Sequence, residues 1–154
     1  MKTLRVSTAR FLSLLLLLAL VTCAFAAEWP GEATVQSVTD GDTIVVKLRT
    51  AQTVHVRVVG IDTPELGRDG RKDQPGAVAA KNRLTELVKG RTVNLVYDAL
   101  SNREDRYGRQ LCYVELDGRD IGLQLLVEGH AALMTRFAFA RYDLYVKSML
   151  SRSQ

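Results

Sequence analysis

Cysteine is scarce in this sequence, with two residues among 154, Cys23 and Cys112. Cys23 lies in an N-terminal segment that we expect to be removed, so Cys112 is left alone and no internal disulfide can form. An exported domain without a disulfide depends on its hydrophobic core for stability. Cys112 alternates with Val114 and Leu116 on one strand face, which predicts a buried, unreactive thiol.

An excess of positive charge is also nearly absent once the N-terminus is set aside. The whole chain has a net charge of +4, but three of its 21 basic residues precede residue 27. Residues 27–154 carry 18 basic and 17 acidic side chains, a net charge of +1. Net charge therefore gives no argument for a nucleic-acid partner, and any such argument must rest on where the charges sit.

Long apolar runs are confined to the N-terminus. The run FLSLLLLLALV follows three basic residues and precedes the small residues AFA at 24–26, the pattern of a cleaved export signal. We therefore predict a signal peptide over 1–26 and one domain over 27–154, secreted or periplasmic and without a membrane contact of its own.

Two alternatives for this segment stay open. The run from Phe11 to Ala27 is short for a membrane span, so an uncleaved anchor is the main alternative to cleavage. Lipidation of Cys23 ranks third, because Thr22 is a poor residue before a lipidated cysteine. A membrane contact is expected only in these two cases.

Apolar residues alternate with polar ones through 33–61, which predicts three half-buried strands. The glycine-rich, charged stretch 62–75 is predicted to be a loop. A helix is expected between Pro75 and Gly90, and RTVNLVYD and RQLCYVEL are predicted as the fourth and fifth strands. Asp120 can cap a second helix, IGLQLLVEG, and RYDLYVKSML forms a third amphipathic segment.

This order of elements does not alternate strand and helix, so a parallel sheet is not expected. A twisted antiparallel sheet of five short strands tends to close on itself, because closure removes exposed edges. The sequence therefore predicts a mainly β fold of the α+β class, a five-stranded barrel of the OB type with about three α-helices.

Two carboxylates are expected at one end of the first hairpin. If its turn is centred near Gln52, Asp42 pairs with Asp62, and Glu65 lies in the loop beside them. Such close carboxylates repel unless a cation neutralises them, and Ca²⁺ prefers carboxylate, carbonyl and water oxygens. The alternative is that DGD at 40–42 is only a turn and that DTP at 62–64 only ends a strand.

Two arginines face outward near these acids. Arg57 lies opposite in parity to the buried valines of its strand, and Arg109 opposite to Cys112 and Val114. A guanidinium makes bidentate contact with phosphate and keeps its proton. Two arginines beside an acid-bound metal are suited to phosphodiester hydrolysis. Either arginine alone would be interpreted as part of a solvated strand face.

Three motifs in order, VTDGDTIVVKL, VRVVGIDTPE and DRYGRQLCYVELDG, resemble the thermonuclease family, the staphylococcal-nuclease-like domains. The resemblance runs from about Val35 to His130. It implies an OB barrel with helices and a phosphodiester hydrolase that cleaves DNA and RNA with Ca²⁺ and leaves 3′-phosphates.

The resemblance also implies a role for each motif residue. Asp42, Asp62 and the backbone carbonyl of Thr63 would bind the metal. Arg57 and Arg109 would stabilise the phosphate, and Glu65 would be the general base. Tyr107 matches a family tyrosine beside the phosphate pocket and is expected to contact substrate; the alternative is a hydroxyl that only fills the entry to the strand. Apart from the resemblance, Arg68, Arg71 and Lys72 in the charged loop are also expected to contact substrate. His55 and His130 lie outside the motifs, and we expect neither to be a base or a metal ligand.

Two departures from the family pattern concern the C-terminal part. Where relatives carry stacking tyrosines, this chain has MTRFAF, with Phe137 in register and Thr135 in place of a ring, so weaker base stacking is expected. The third helix is also short, which predicts lower stability and unaltered chemistry.

Three classes of function can be compared. A catalytically silent OB module would bind nucleic acid or protein, and a Ca²⁺-stabilised structural domain would need the acids but neither arginine. Silent copies of the domain lack several members of a five-residue set that is complete here: Asp42, Arg57, Asp62, Glu65 and Arg109. The sequence therefore favours a monomeric enzyme without a protein partner.

Overall fold

The computed structural model describes residues 30–152. The elements in this part of the chain are β1 Glu32–Asp40, β2 Thr43–Leu48, β3 Thr53–Val58, β4 Ile61–Asp62, α1 Ala77–Val88, β5 Thr92–Tyr97, β6 Gln110–Leu116, β7 Arg119–Asp120, α2 Ile121–Glu128, β8 Ala132–Leu133 and α3 Tyr142–Arg152. The five predicted strands and three predicted helices are confirmed. The predicted signal peptide, 1–26, lies outside the described residues. No helix within 30–152 is long and apolar enough to cross a membrane.

Five strands close into a barrel in the order β3-β2-β1-β5-β6, and β6 returns to pair with β3. This confirms the predicted five-stranded OB-type barrel. Four of the five pairings are antiparallel, but β3 and β6 are parallel, with Val56 beside Gln110 and Val58 beside Cys112. The expectation of a wholly antiparallel sheet was therefore wrong at one pair. The long connection through α1 and β5 makes a parallel pair possible, because parallel strands need a crossover.

Strand β1 bends enough to pair with two neighbours. Its register with β2 shifts twice, between Val35 and Ser37 and between Val38 and Asp40. Each such bulge bends a strand and changes which residues face inward. Inward-facing positions thus change from odd to even numbers along β1, from Val35 to Val38, and Asp40 ends the strand buried.

The core consists of the inward strand residues and one face of each helix, and Ile44, Val46, Val56, Leu84 and Leu125 have no exposed surface. Cys112 is also fully buried, and burial raises the pKa of its thiol to about 12. The predicted burial of Cys112 is confirmed, and the raised pKa agrees with the expectation of an unreactive thiol.

The helices cover the barrel, with α1 against β1, α2 against β6 and α3 against α2. Helix α2 begins as predicted, because the Oδ1 atom of Asp120 accepts a hydrogen bond of 3.1 Å from the Leu123 amide. The short helix α3 inserts a fully buried Tyr145, whose hydroxyl donates to Asp120 Oδ1 at 2.9 Å.

A two-stranded ribbon of β4 and β8 lies outside the barrel sheet and was not predicted. Ile61 pairs with Leu133 and Asp62 with Ala132. The chain enters β4 through Gly60, which has a φ of +86° and would place a Cβ atom 2.9 Å from the rings of Phe139 and Tyr145. Only glycine fits this turn without a shift of its neighbours, and the turn directs Asp62 back toward β2.

Candidate active site

The β2–β3 hairpin places Asp42 opposite Val58 and not opposite Asp62. Thr43 aligns with Arg57, and the Val58 amide donates to the Asp42 carbonyl at 2.9 Å. The hairpin is therefore centred on Thr50, and the predicted direct pairing of the two acids was wrong. A tight turn closes the hairpin, with a hydrogen bond from the Leu48 amide to the Gln52 carbonyl.

Asp42 and Asp62 meet instead at the guanidinium of Arg57. Arg57 Nη1 lies 2.9 Å from Asp42 Oδ2, and Nη2 lies 3.1 Å from Asp62 Oδ1. The same Nη1 atom donates to the carbonyls of Val58 and Ile61, each at 3.1 Å. Arg57 thus connects β3, the following turn and both carboxylates, and its side chain is only 12% exposed.

Asp42 is enclosed by threonines. Its Oδ1 atom accepts from the Thr43 hydroxyl at 3.0 Å, and Oδ2 accepts from the Thr63 hydroxyl at 2.8 Å and the Thr63 amide at 3.2 Å. A Cβ atom on Gly41 would lie 2.8 Å from both Thr63 Oγ1 and the Cβ of Ala80. The DGD turn therefore packs directly on Thr63 and α1, which leaves room only for glycine.

Asp40 is a third carboxylate of this region, which the sequence analysis treated only as a turn residue. It is 3% exposed and accepts a hydrogen bond of 2.9 Å from the Gly41 amide. Arg68 Nη2 lies 3.7 Å from its Oδ2 atom. Asp40 thus forms the turn that the sequence predicted and also contacts a positively charged side chain.

Glu65 lies at the base of the charged loop. Its amide donates to Gln74 Oε1 at 2.9 Å, and the Gln74 amide donates to the Glu65 carbonyl at 3.0 Å. Partial burial raises the pKa of the Glu65 carboxyl, and the negative charges of Asp40 and Asp42 and a hydrogen bond with Asp40 raise it further, whereas Arg57 lowers it. Glu65 therefore shares the electrostatic field of the acid cluster.

Arg109 reaches the cluster from the position just before β6. Its Nη1 atom lies 3.3 Å from Thr43 Oγ1, and that hydroxyl donates to Asp42 Oδ1. Asp105 holds it in place, with Oδ2 at 2.7 Å from both Nε and Nη2 of Arg109 and Oδ1 accepting from the amides of Tyr107 and Arg109. Burial alone would raise the pKa of Asp105, but these hydrogen bonds outweigh it and lower the pKa.

The family model of the staphylococcal nuclease homologues matches residues 55–149, more than half of the chain. The chain belongs to this family. The match includes Arg57, Asp62, Glu65 and Arg109, and it begins after Asp42, whose place in the site rests on the contacts described above.

Curated relatives are similar to this chain over part of their length. It is 37% identical to the thermonuclease of Staphylococcus intermedius over 97 residues, which cover 63% of this chain and 56% of that protein. Identity is 38% to the SPbeta prophage-derived endonuclease YokF and 39% to the endonuclease YncB, both of Bacillus subtilis (strain 168). Those matches cover 65% and 60% of this chain but only 33% and 43% of the relatives.

The four residues predicted to contact substrate differ in their surroundings. Tyr107 is 68% exposed, and the guanidinium carbons of Arg106 and Arg109 lie 4.8 and 5.4 Å from its ring centroid. Arg68 points to Asp40. Arg71 and Lys72 are exposed in the loop, and Arg71 Nε turns back to the Arg68 carbonyl at 3.3 Å.

Among the described residues, neither histidine side chain makes a hydrogen bond or an ion pair with the acid cluster. His55 is exposed on β3. His130 follows α2, where its amide donates to the Leu125 carbonyl at 2.9 Å.

Residues that the sequence analysis missed complete the site. Thr43 links Arg109 to Asp42, Asp105 orients Arg109, and Arg136 contacts Asp62. Asp105 could have been found from its position four residues before Arg109. That spacing gives a contact here only because the loop between the two residues curls. Arg136 follows a two-residue strand that carries no readable periodicity.

Proposed function

We propose that this chain is a Ca²⁺-dependent nuclease that hydrolyses phosphodiester bonds in DNA and RNA, leaves 3′-phosphates and acts after export as a monomer. The observation that carries the proposal is that both arginines are joined to Asp42: Arg57 contacts the carboxylates of Asp42 and Asp62 directly. Arg109 contacts the hydroxyl of Thr43, which itself donates to Asp42. Support also comes from the thermonuclease and the endonucleases to which the chain is similar.

The donor set suits a hard divalent cation. Asp42, Asp62 and the carbonyl of Thr63 would supply oxygen ligands, and water would complete the coordination of Ca²⁺. Within 30–152 no three His, Cys, Asp or Glu side chains form a metal cage, so the set depends on the carbonyl and on water. Two observations support a fit. A guanidinium already lies between the two carboxylates, so the pair accepts a positive group. The pKa of Glu65 is raised by burial and further by the negative charges of Asp40 and Asp42, a field that favours a cation.

The reaction can be assigned to residues of this chain. Glu65 accepts a proton from the attacking water, whose oxygen forms a bond to phosphorus. Arg57 and Arg109 donate to the phosphate oxygens as their charge increases. The bond from phosphorus to the 5′ oxygen breaks, that oxygen takes up a proton, and the products carry a 3′-phosphate and a 5′-hydroxyl. Bound Ca²⁺ would supply further neutralisation of this charge.

The first test is hydrolysis of plasmid DNA and RNA by the purified protein with Ca²⁺, Mg²⁺ or a chelator. We expect cleavage of both substrates with Ca²⁺ and none in chelator, because Asp42 and Asp62 cannot approach a phosphate without a cation. Asp42→Asn should abolish cleavage and weaken Ca²⁺ binding measured by calorimetry. Full activity in chelator would contradict the site assignment.

The same experiment separates the enzyme from a silent binding module. If the protein retains a nucleic acid on a filter but hydrolyses none under any metal condition, the silent binding module is favoured. Product ends that accept a 5′ label without phosphatase treatment are expected from the enzyme, since each has a 5′-hydroxyl. Export is tested by N-terminal sequencing of the secreted protein, with Ala27 as the expected first residue.

A further inference from the structure

Arg136 contacts the acid cluster from the side away from Arg57. Its Nη2 atom lies 3.1 Å from Asp62 Oδ2, while Asp62 Oδ1 accepts from Arg57 Nη2 at 3.1 Å. Each oxygen of Asp62 thus accepts from a different guanidinium. The Asp62 side chain is 39% exposed, compared with 3% for Asp42, so Asp62 is the carboxylate through which solvent ions reach the cluster.

The backbone near Arg136 is anchored, whereas its side chain is mostly exposed and is held only by Asp62 among the described residues. The β4–β8 ribbon aligns Asp62 with Ala132, and the Met134 amide donates to the Gly60 carbonyl at 3.0 Å. The Arg136 side chain is 70% exposed. This arrangement keeps the guanidinium within reach of the cluster whether or not it is bonded to Asp62.

The contact between Arg136 and Asp62 competes with a cation at Asp62. A cation that takes Oδ2 as a ligand needs the lone pairs used by the Arg136 hydrogen bond, and the two positive charges repel. Exposed ion pairs are weak, so Arg136 gives way easily. Arg57 is different, because it is almost buried and is also held by two backbone carbonyls.

A displaced Arg136 remains at the edge of the cluster with an unused planar fork of donors. Its neighbour Phe137 is 72% exposed, so this edge faces solvent and has room for a polymer. A phosphate diester matches the planar donor geometry of the guanidinium. It also supplies a negative charge in place of the Asp62 carboxylate.

We infer that Arg136 is a cation-released phosphate-binding residue. It neutralises Asp62 before a cation binds, and it binds a phosphate group of the polynucleotide once the cation has displaced it. The inference rests on the proposed function and specifies the order in which that site takes its ligands. Because the coupling is reciprocal, cation binding and substrate binding assist each other through this residue.

The first experiment measures Ca²⁺ alone by calorimetry, without substrate. Arg136→Gln should bind Ca²⁺ about twofold to fivefold more tightly than the wild type, since an exposed competitor of that strength is removed. The matched control is Arg49→Gln, which also removes one exposed positive charge, from a side chain 84% exposed at the far end of the hairpin. The control should match the wild type.

Salt distinguishes direct competition from a long-range field. In 0.5 M KCl, interactions between separated surface charges are largely screened. The contact at 3.1 Å is weakened as well, but part of the difference between Arg136→Gln and the wild type should remain. A difference that disappears at high salt, or one that Arg49→Gln reproduces, would overturn direct competition. Unchanged or weaker Ca²⁺ binding by Arg136→Gln would overturn it as well.

The second experiment measures steady-state kinetics on a short oligonucleotide at saturating Ca²⁺. For Arg136→Gln we expect KM to rise about threefold to tenfold, the loss of one phosphate contact, with kcat within about twofold of the wild type. An unchanged KM would refute the phosphate-binding role. If the wild-type protein neither binds Ca²⁺ nor hydrolyses the oligonucleotide, the proposed function fails together with this inference. If the wild type does both and Arg136→Gln behaves identically, only this inference is refuted.

Discussion

At the scale of single residues, the two arginines beside Thr43 are not equivalent. Arg57 holds two carboxylates and two backbone carbonyls, so its replacement would disturb the turn that carries Asp62 as well as any phosphate contact. Arg109 is held by Asp105, and its Nη1 atom reaches only the hydroxyl of Thr43, at 3.3 Å. Substitution of Arg109 is therefore the better test of whether catalysis needs only a positive charge or also the planar geometry of the guanidinium.

We predict that Arg109→Lys lowers kcat by about 10²- to 10³-fold, the loss typical of one stabilising donor. Lysine keeps the charge but cannot make both the contacts to Asp105 and a directed contact to the phosphate. KM should change far less, because many other contacts hold a polymer. The measurement is steady-state kinetics on a short oligonucleotide.

Arg103→Lys is the control for this prediction, because its guanidinium carbon lies over the Tyr97 ring at 4.9 Å and away from the carboxylates. It should leave kcat unchanged. Near-normal kcat in Arg109→Lys would instead make Arg109 a surface residue that contributes nothing to the reaction.

At the scale of elements, the site depends on how closely the β1–β2 turn approaches α1. A Cβ atom on Gly41 would lie 2.8 Å from the side chains of both Thr63 and Ala80. We predict that Gly41→Ala lowers the free energy of unfolding by about 1–3 kcal/mol, the usual cost of overpacking. It should also displace Thr63 from Asp42 and weaken Ca²⁺ binding. Chemical denaturation and calorimetry measure the two effects.

Gly31→Ala is the matched control, because a Cβ atom there has no neighbour within 4 Å. Its free energy of unfolding should stay within about 0.5 kcal/mol of the wild type. Equal stabilities of the two variants would show that the turn can move away from α1, and the site would then be less rigid than the contacts suggest.

The elements were predictable where their own periodicity is visible. Half-buried strands alternate over six or more residues, and Asp120 precedes an apolar helical run, so both were found from sequence. The two-residue strands β4 and β8 have no period, and their pairing, which places Asp62 and Arg136 together, arises only from the folded chain. The turn of the hairpin was misplaced by two positions, which paired Asp42 with the wrong residue.

At the scale of the whole molecule, ion pairs attach the helices to the barrel and to each other. Arg141 bridges Glu115 at 2.6 Å and Asp120 at 2.7 Å, which joins the start of α3 to β6 and β7. Burial alone would raise the pKa of Glu115, but hydrogen bonds from Arg141 and Asn94 lower it. The short helix α3 is thus held by ion pairs as well as by the buried Tyr145. These contacts offset the smaller number of core contacts that its length predicts.

The pair of Arg83 on α1 and Glu128 on α2 gives the sharpest test of this attachment. Arg83 Nε and Nη2 contact the Glu128 carboxylate at 2.6 and 2.8 Å, and these hydrogen bonds lower the pKa of Glu128 to about 2. The unfolded-state pKa is about 4.3. Because the folded-state pKa is the lower one, the stabilisation is fully present above about pH 4 and is lost as the pH falls toward about 2.

We therefore predict that Glu128→Gln lowers the free energy of unfolding by about 1 kcal/mol at pH 7, allowing for solvent screening of this partly exposed pair. The difference from the wild type should shrink to zero near pH 2, where the wild-type carboxyl becomes protonated. Urea denaturation at the two pH values measures both quantities, and Glu32→Gln, at a side chain 63% exposed, should differ little from the wild type at either. A Glu128→Gln deficit that stayed constant between pH 7 and pH 2 would mean that glutamine disturbs the packing of α1 on α2, and that the charge of Glu128 contributes nothing to holding the two helices together.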